Sequence, residues 1–369
     1  MRSLMRKNVM PIVALIAAIV TTFFVSIDRN YLDYFETTTL MSLFCILAVV
    51  SGLEKAQVLE LIALKIISFF GTARNVVLAL TFGIFVFDLV VANDMSLITF
   101  LPLTYIVLSR TNNHKYVMIT FIMQTIAANM AGMIVPHGNP QNLFIYAFYN
   151  IPATEFVSIL LPEFIMTAVT LLAITFVMIP NRKLEMTVDK KVTVDKPNAI
   201  LYAVLTALTI ISIFRVLPVV IPFILIACVV VLYDRKTFIK IDFGLLMTFC
   251  FFFVFAGNMA RIPAIQEFVG KLVDWNTLIT GLISTQFISN VPTAIFLSKF
   301  TENYTELLVA VNLGALGTMV SSLATLITLK EYLKHNQGKF WKYLGLYTVV
   351  NTTFFLILMA LYLLRHHVF

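Results

Sequence analysis

The chain has 369 residues, 60% of them hydrophobic and only 12% charged, with a formal net charge of +7 and a mean hydropathy of +0.94. A soluble chain of this length cannot hide so much apolar surface, so a polytopic membrane protein is expected; a disulfide scaffold, a disordered tail protein and a soluble nucleic-acid binder are excluded. The three cysteines (Cys45, Cys228 and Cys250) lie in apolar runs without paired spacing and read as small core hydrophobes.

The basic start Met1 to Lys7 runs into an apolar stretch at 8–27. That stretch is long for a signal-peptide core and no small-x-small cleavage site follows it, so it reads as a retained first span. Plain apolar spans follow at 37–53, 156–179, 199–216, 219–232, 243–260 and 341–364. Two amphipathic segments are predicted, 54–74 with Val58, Ile62, Ile66 and Phe69 on one face, and 262–275 with Ile265, Phe268, Val269 and Leu272. The stretch Asn181 to Pro197 is the one clearly polar linker, read as a solvated cytoplasmic loop.

Four further apolar stretches are broken by residues that hydrocarbon does not tolerate. Residues 75–108 are interrupted at Asn93-Asp94, 116–150 at His137-Gly138-Asn139-Pro140, 277–300 at Ser289-Asn290-Val291-Pro292, and 305–329 at Gly314 and Gly317 followed by Ser321-Ser322. With a cytoplasmic N-terminus, 75–108 and 277–300 as re-entrant hairpins, and the other two broken stretches crossing completely, every loop acquires a side and the C-terminus lies outside. The segments 1–9, 54–74, 109–117, 180–198, 233–242 and 330–342 then hold 20 of the 26 Lys and Arg, as the positive-inside rule requires; Arg29, Arg215, Arg261, Lys271, Lys299 and Arg365 fall outside.

This assignment places one hairpin on each side of the membrane. The order of segment, hairpin, broken helix and helix is written twice in opposite orientation. The expected architecture is all-α with about nine full spans, a first inverted repeat at 1–180, a cytoplasmic linker at 181–198 and a second repeat at 199–369. The second half has one more plain span ahead of its repeat, so the first repeat is expected to lack its opening helix. Inverted repeats with discontinuous helices point to a secondary transporter with its site near the midplane.

Opened helices leave backbone groups free for ligands: N-termini suit anions, and free carbonyls and carboxylates suit Na⁺ or protons. Asp94 is the candidate Na⁺ or proton site, because Asn93 alone would cap the second hairpin arm without burying a charge. Asp88 and His137 are further candidates for coupling. In the His137 motif Gly138 permits an unwound backbone, Asn139 caps, Pro140 fits the first helical turn and Asn142 adds an amide. Ser289, Asn290 and Thr293 repeat that logic at the second hairpin. Asn312, Gly314, Gly317, Thr318, Ser321 and Ser322 offer open backbone and hydroxyls, or equally a tight helix-packing face. The windows 88–103, 129–145, 284–297 and 311–328 contain no Lys or Arg, so an anion there would rely on helix N-termini, amides, hydroxyls and a co-bound cation. No His-Glu-x-x-His or Gly-x-Ser-x-Gly pattern occurs, and an enzyme is not expected.

The stretches ANDMSLITFLPL, PHGNPQNLF, ISNVPTAIFL and VNLGALGTMVSSLATLITLKEY resemble the four signature stretches of the ion transporter superfamily, which includes arsenite permeases, sodium/proton antiporters and citrate or dicarboxylate symporters. Asn93-Asp94 and the run Ser322 to Leu326 look most like arsenite permeases, and Gly138 to Asn142 like the citrate branch. The resemblance implies a homodimer in which a transport domain moves against a scaffold in an elevator-like step. The expected function is ion-coupled transport of a small, anionic solute, citrate or a dicarboxylate or an inorganic oxyanion, with Na⁺ or H⁺ as the coupling ion. The alternatives are an arsenite or antimonite exporter and a sodium/proton antiporter.

Overall fold

In a chain with so few charges, backbone hydrogen bonds have to close within each segment, and helices do that locally. The computed structural model describes residues 9–68, 71–91, 93–183 and 193–367, and every regular element in them is helical apart from one isolated bridge between Thr72 and Lys183. Phe69 and the centre of the polar linker lie outside the described residues.

The helices are α1 (Val9–Thr22), α2 (Thr37–Lys55), α3 (Val58–Ser68), α4 (Ala73–Phe87), α5 (Asn93–Arg110), α6 (Val117–Ala131), α7 (Pro140–Phe148), α8 (Ala153–Met178) and α9 (Lys196–Ile213). They continue with α10 (Val220–Cys228), α11 (Arg235–Lys240), α12 (Phe243–Ala260), α13 (Pro263–Ile288), α14 (Asn290–Leu297), α15 (Tyr304–Leu313), α16 (Leu323–His335) and α17 (Phe340–His367). Among the described residues, six helical stretches are long and apolar enough to cross a membrane: Thr37–Lys55, His114–Ile134, Ala153–Met178, Lys196–Ile213, Phe243–Ala260 and Phe340–His366. The first predicted span is a 14-residue helix, about 21 Å long.

These helices sort into two groups by contact. In one, α1 packs on α12, and α2 packs on α9 and α10. Gly52 lets the Tyr202 ring close onto α2, because a Cβ there would overlap it. The Tyr202 hydroxyl then donates to Asp234 at 3.0 Å, and the Lys55 ammonium pairs with the same carboxylate at 2.5 Å. Burial would push the Asp234 carboxyl up, but hydrogen bonds from Lys55, Thr237 and Tyr202 outweigh it and hold the group at about 2.

The second group holds the interrupted stretches. Its centre is α6, in a stretch that is 94% buried, whereas the α8 stretch is only 22% buried. A helix so enclosed can carry polar residues if each finds a partner. The Gln124 amide donates to the Thr104 hydroxyl of α5 at 2.8 Å and to the Leu80 carbonyl of α4 at 3.2 Å, tying three helices together. Within the group one pattern of neighbours occurs twice: α4 packs on α5 and α6 as α13 packs on α14 and α15. Crosswise, α5 packs on α16 as α14 packs on α7.

Of the cysteines, Cys45 is buried, Cys250 partly buried and Cys228 exposed on the apolar α10; all three are free.

Candidate functional site

The first interruption is the turn between α4 and α5. The second hairpin is more strongly broken. Extended backbone at Asn276 divides α13, and α13 ends at Ser289, whose φ of +72° lies in the region that favours glycine. Ser289 is held there by its hydroxyl, which donates to the Ser321 carbonyl at 3.2 Å, while its own carbonyl accepts from Thr293 Oγ1 at 2.8 Å. Helix α14 then runs for only 8 residues.

The third interruption separates α6 from α7. Gly138 lies against Gly132 so closely that a Cβ would collide with the Gly132 carbonyl. Pro140 occupies the first turn of α7, as expected. Asn139 stands in the capping position with extended backbone, but its side chain does not cap; it donates to the Asn129 carbonyl at 3.0 Å. Asn142 likewise turns inward, to the carbonyls of Gly132 and Met133 at 3.4 and 3.3 Å. At this break the two amides therefore satisfy backbone carbonyls of the opened segment and not the end of α7.

The fourth interruption separates α15 from α16 and is filled from α13. The Gln286 amide donates to the Gly314 carbonyl at 2.9 Å and its Oε1 accepts from the Thr318 N–H at 2.8 Å. Gly317 is required for this, since a Cβ would overlap the Gln286 carboxamide.

Each hairpin tip is tied to a break. The Asn93 N–H donates to the Gly138 carbonyl at 3.3 Å, and the Asn290 N–H to the Ser321 carbonyl at 3.0 Å. Four residues ahead of each Asn, His137 Nε2 donates to the Leu89 carbonyl at 3.0 Å and Thr318 Oγ1 to the Gln286 carbonyl at 3.0 Å. The breaks are also tied to each other. Ser322 Oγ donates to Asn129 Oδ1 at 2.7 Å, and Asn312 Nδ2 donates to Asn142 Oδ1 at 2.7 Å.

The four interruptions meet at a cavity of about 470 Å³. The first turns of α5, α7, α14 and α16 all line it, through Asn93 and Asp94, Pro140 and Leu143, Asn290 to Pro292, and Leu323. Four helix N-termini therefore present their partial positive charge to one space. Walls come from Leu43 and Leu47 of α2 and from Leu245 and Phe252 of α12, so the cavity lies between the two helix groups. Among the described residues its charged lining is Asp94, Asp242 and Lys330.

Of the candidate residues, Asn93, Asp94, His137, Ser289 and Asn290 line the cavity, and Gly138, Asn139, Asn142, Thr293, Gly314, Gly317, Thr318 and Asp88 do not. Most of the second set are buried behind it and shape the breaks; Thr318 is exposed. Sequence reasoning missed Lys330 and Asp242. Lys330 was findable, because Leu323, Leu326, Ile327 and Lys330 share one helical face that begins at the Ser322 break. Asp242 caps α12, accepting from the Leu245 N–H at 3.1 Å, and nothing in its local sequence points to the cavity. Among the described residues no group of three or more His, Cys, Asp or Glu side chains is arranged to hold a metal ion.

The citrate transporter family profile matches residues 3–329 of the chain. An uncharacterized transporter of Methanocaldococcus jannaschii is 30% identical over 307 residues, covering 80% of this chain and 81% of that protein. The inner membrane protein YbiR of Escherichia coli is 24% identical over 314 residues, covering 84% and 83%.

Proposed function

The chain belongs to the citrate transporter family, and from that premise we propose that it is an ion-coupled secondary active transporter of a small anionic solute, either citrate or a dicarboxylate or an inorganic oxyanion. The observation that carries this reading is the convergence of four helix N-termini on one cavity, since oriented N–H groups recognise anions without a cluster of basic side chains. Lys330 supplies the one cationic side chain among the described lining residues.

The twofold pattern of neighbours and the reciprocal Asn129–Ser322 and Asn142–Asn312 bonds support two repeats of opposite orientation, 1–180 and 199–369, joined by the linker 181–198. The 8-residue α14 is about 12 Å long, well short of a 30 Å core, which supports its return to its own side as a re-entrant arm. With Ala73–Phe87 taken as a hairpin arm, the shorter apolar helices Met10–Thr22, Val220–Tyr233 and Tyr304–Leu316, added to the six long ones, give about nine crossings. The cavity runs from the hairpin tips toward Met10, Asp242 and Lys330, all near segments that the charge rule puts in the cytoplasm, so this conformation faces inward. A cavity between two helix groups suits an elevator-like movement of one group against the other, in a homodimer with a cytoplasmic N-terminus and an external C-terminus.

In this reading a carboxylate on the first hairpin, Asp94 beside Asn93 or else Asp88, serves the coupling Na⁺ or proton, and Ser289 and Asn290 meet the solute. The test is uptake by proteoliposomes of a panel of citrate, dicarboxylates, sulfate, phosphate and arsenite under imposed Na⁺ or proton gradients. Uphill accumulation driven by one gradient is expected; gradient-independent flux at channel rates would remove the coupling.

One observation favours a second reading. Among the described lining residues two acidic side chains, Asp94 and Asp242, stand against Lys330, which suits an uncharged oxyacid such as arsenous acid. Restored growth on arsenite of an efflux-deficient host would select it, and proton movement on adding Na⁺ alone would select sodium/proton antiport instead.

A further inference from the structure

The strongest uncompensated feature of the molecule lies one layer behind the cavity wall. Asp88 ends α4, is 0% exposed, and neither carboxylate oxygen has a hydrogen-bond partner among the described residues. The Ser96 hydroxyl faces it from α5 and is itself without another partner. Among the described residues the charged side chain that reaches it is Asp94, of like sign.

His137, from the α6–α7 break, adds to this surplus of acceptors. Its Nε2 donates to the carbonyl of Leu89, the residue next to Asp88, so that Nδ1 of the neutral ring presents a lone pair, also buried and unpartnered. Two carboxylate oxygens are thus opposed by a single hydroxyl hydrogen, and the side chain that binds the next residue's carbonyl brings a further unpartnered acceptor. A buried carboxylate with no donors is far costlier than a missing hydrogen bond, and ionisable groups at membrane depth persist where they bind what moves.

We infer that Asp88, with Ser96, is the binding site of a small monovalent cation, a proton or Na⁺, separate from the solute cavity and reached past His137. The inference deepens the transporter reading and rests on it: it puts the coupling ion at Asp88 and leaves Asp94 in the cavity wall. Each cation satisfies the same deficit. A proton converts one carboxylate oxygen into a donor toward Ser96 Oγ, and Na⁺ takes the carboxylate and hydroxyl oxygens as ligands. Among the described residues the titratable group that reaches the site is Asp94 on α5, and His137 in the break is held next to it by the carbonyl of Leu89.

The test uses purified full-length protein in nanodiscs and needs no knowledge of the solute. Infrared difference spectra at neutral pH report a protonated, hydrogen-bonded carboxyl by its C=O stretch and its shift in D₂O. Thermal unfolding in NaCl against KCl at equal ionic strength reports Na⁺. One of the two signatures is expected in the native protein, the carboxyl band if the cation is a proton and Na⁺-selective stabilisation if it is Na⁺. Asp88→Asn should abolish it, Ser96→Ala should weaken it, and Asp94→Asn should retain it. Asp88→Asn keeps the side-chain shape, and its melting transition serves as the folding control. Absence of both signatures from the native protein, or a signature that persists in Asp88→Asn, overturns the inference. Either failure leaves solute transport to be judged separately by the uptake panel.

Discussion

Gly138→Ala is the substitution whose outcome is most constrained by the geometry of the break. A Cβ at this position meets the Gly132 carbonyl and Cα, both backbone atoms that no rotamer change can withdraw. Either the α6–α7 break opens or the tip of the first hairpin retreats. Overpacking of a well-packed interior costs about 1–3 kcal/mol. Opening the break also strains the bond from the Asn93 N–H to the Gly138 carbonyl, worth about 1 kcal/mol. The expected total is about 3 kcal/mol. Gly345→Ala is the control: Gly345 lies inside α17 with open space around it, and alanine there should stabilise by up to about 1 kcal/mol. Reversible denaturation of both variants in mixed micelles measures the difference, and solute uptake measures its effect on the tip. A Gly138→Ala protein within a few tenths of a kcal/mol of the native one would refute the reasoning, because the α6–α7 break would then not be held by backbone contact.

The crossed breaks predict a coupling of about 1 kcal/mol between Asn142 and Asn312 in a double-mutant cycle with alanine, measured by the same denaturation; additivity of the single changes would contradict it. One guanidinium nitrogen of Arg365 donates to both oxygens of the fully buried Glu163, at 2.8 and 3.1 Å, so Arg365→Ala should cost about 3–5 kcal/mol by removing that partner, and Glu163→Gln in the same background should recover part of the loss. Asp234 is held below its ordinary range in the folded state, so its contribution is complete above about pH 4 and disappears as pH falls toward 2. The stability gap between the native protein and Asp234→Asn should therefore be flat at neutral pH and close over that acid window; a gap that widens on acidification would reverse the sign.

Much of the candidate site was legible because helix interruption in an apolar chain has a chemical signature. Gly138, Pro140, Gly317 and the Asn-rich tips stand out against their surroundings, and the structure opens the backbone at each of them. What they do there was less legible. Asn139 has a capping residue's identity and position, yet its amide serves the Asn129 carbonyl across the break. Asn142 serves carbonyls of the same break, and only its Oδ1 meets a distant residue, Asn312. Whether a polar side chain faces a ligand or mends unwound backbone depends on which carbonyls lie within 3 Å, and that is a property of packing.

From the sequence alone follow the membrane, the helical class and the places where the helices stop, because the cost of an unpaired backbone group in hydrocarbon acts locally and is written in residue type. Only the tertiary structure decided that Asn93 and Asn290 share one cavity, that Lys330 and Asp242 join them, and that Asp88 is sealed away behind. Those outcomes depend on which helices cross, and crossings are set by close contacts such as Tyr202 on Gly52 and Gln286 on Gly317, between parts of the chain whose meeting no local pattern specifies.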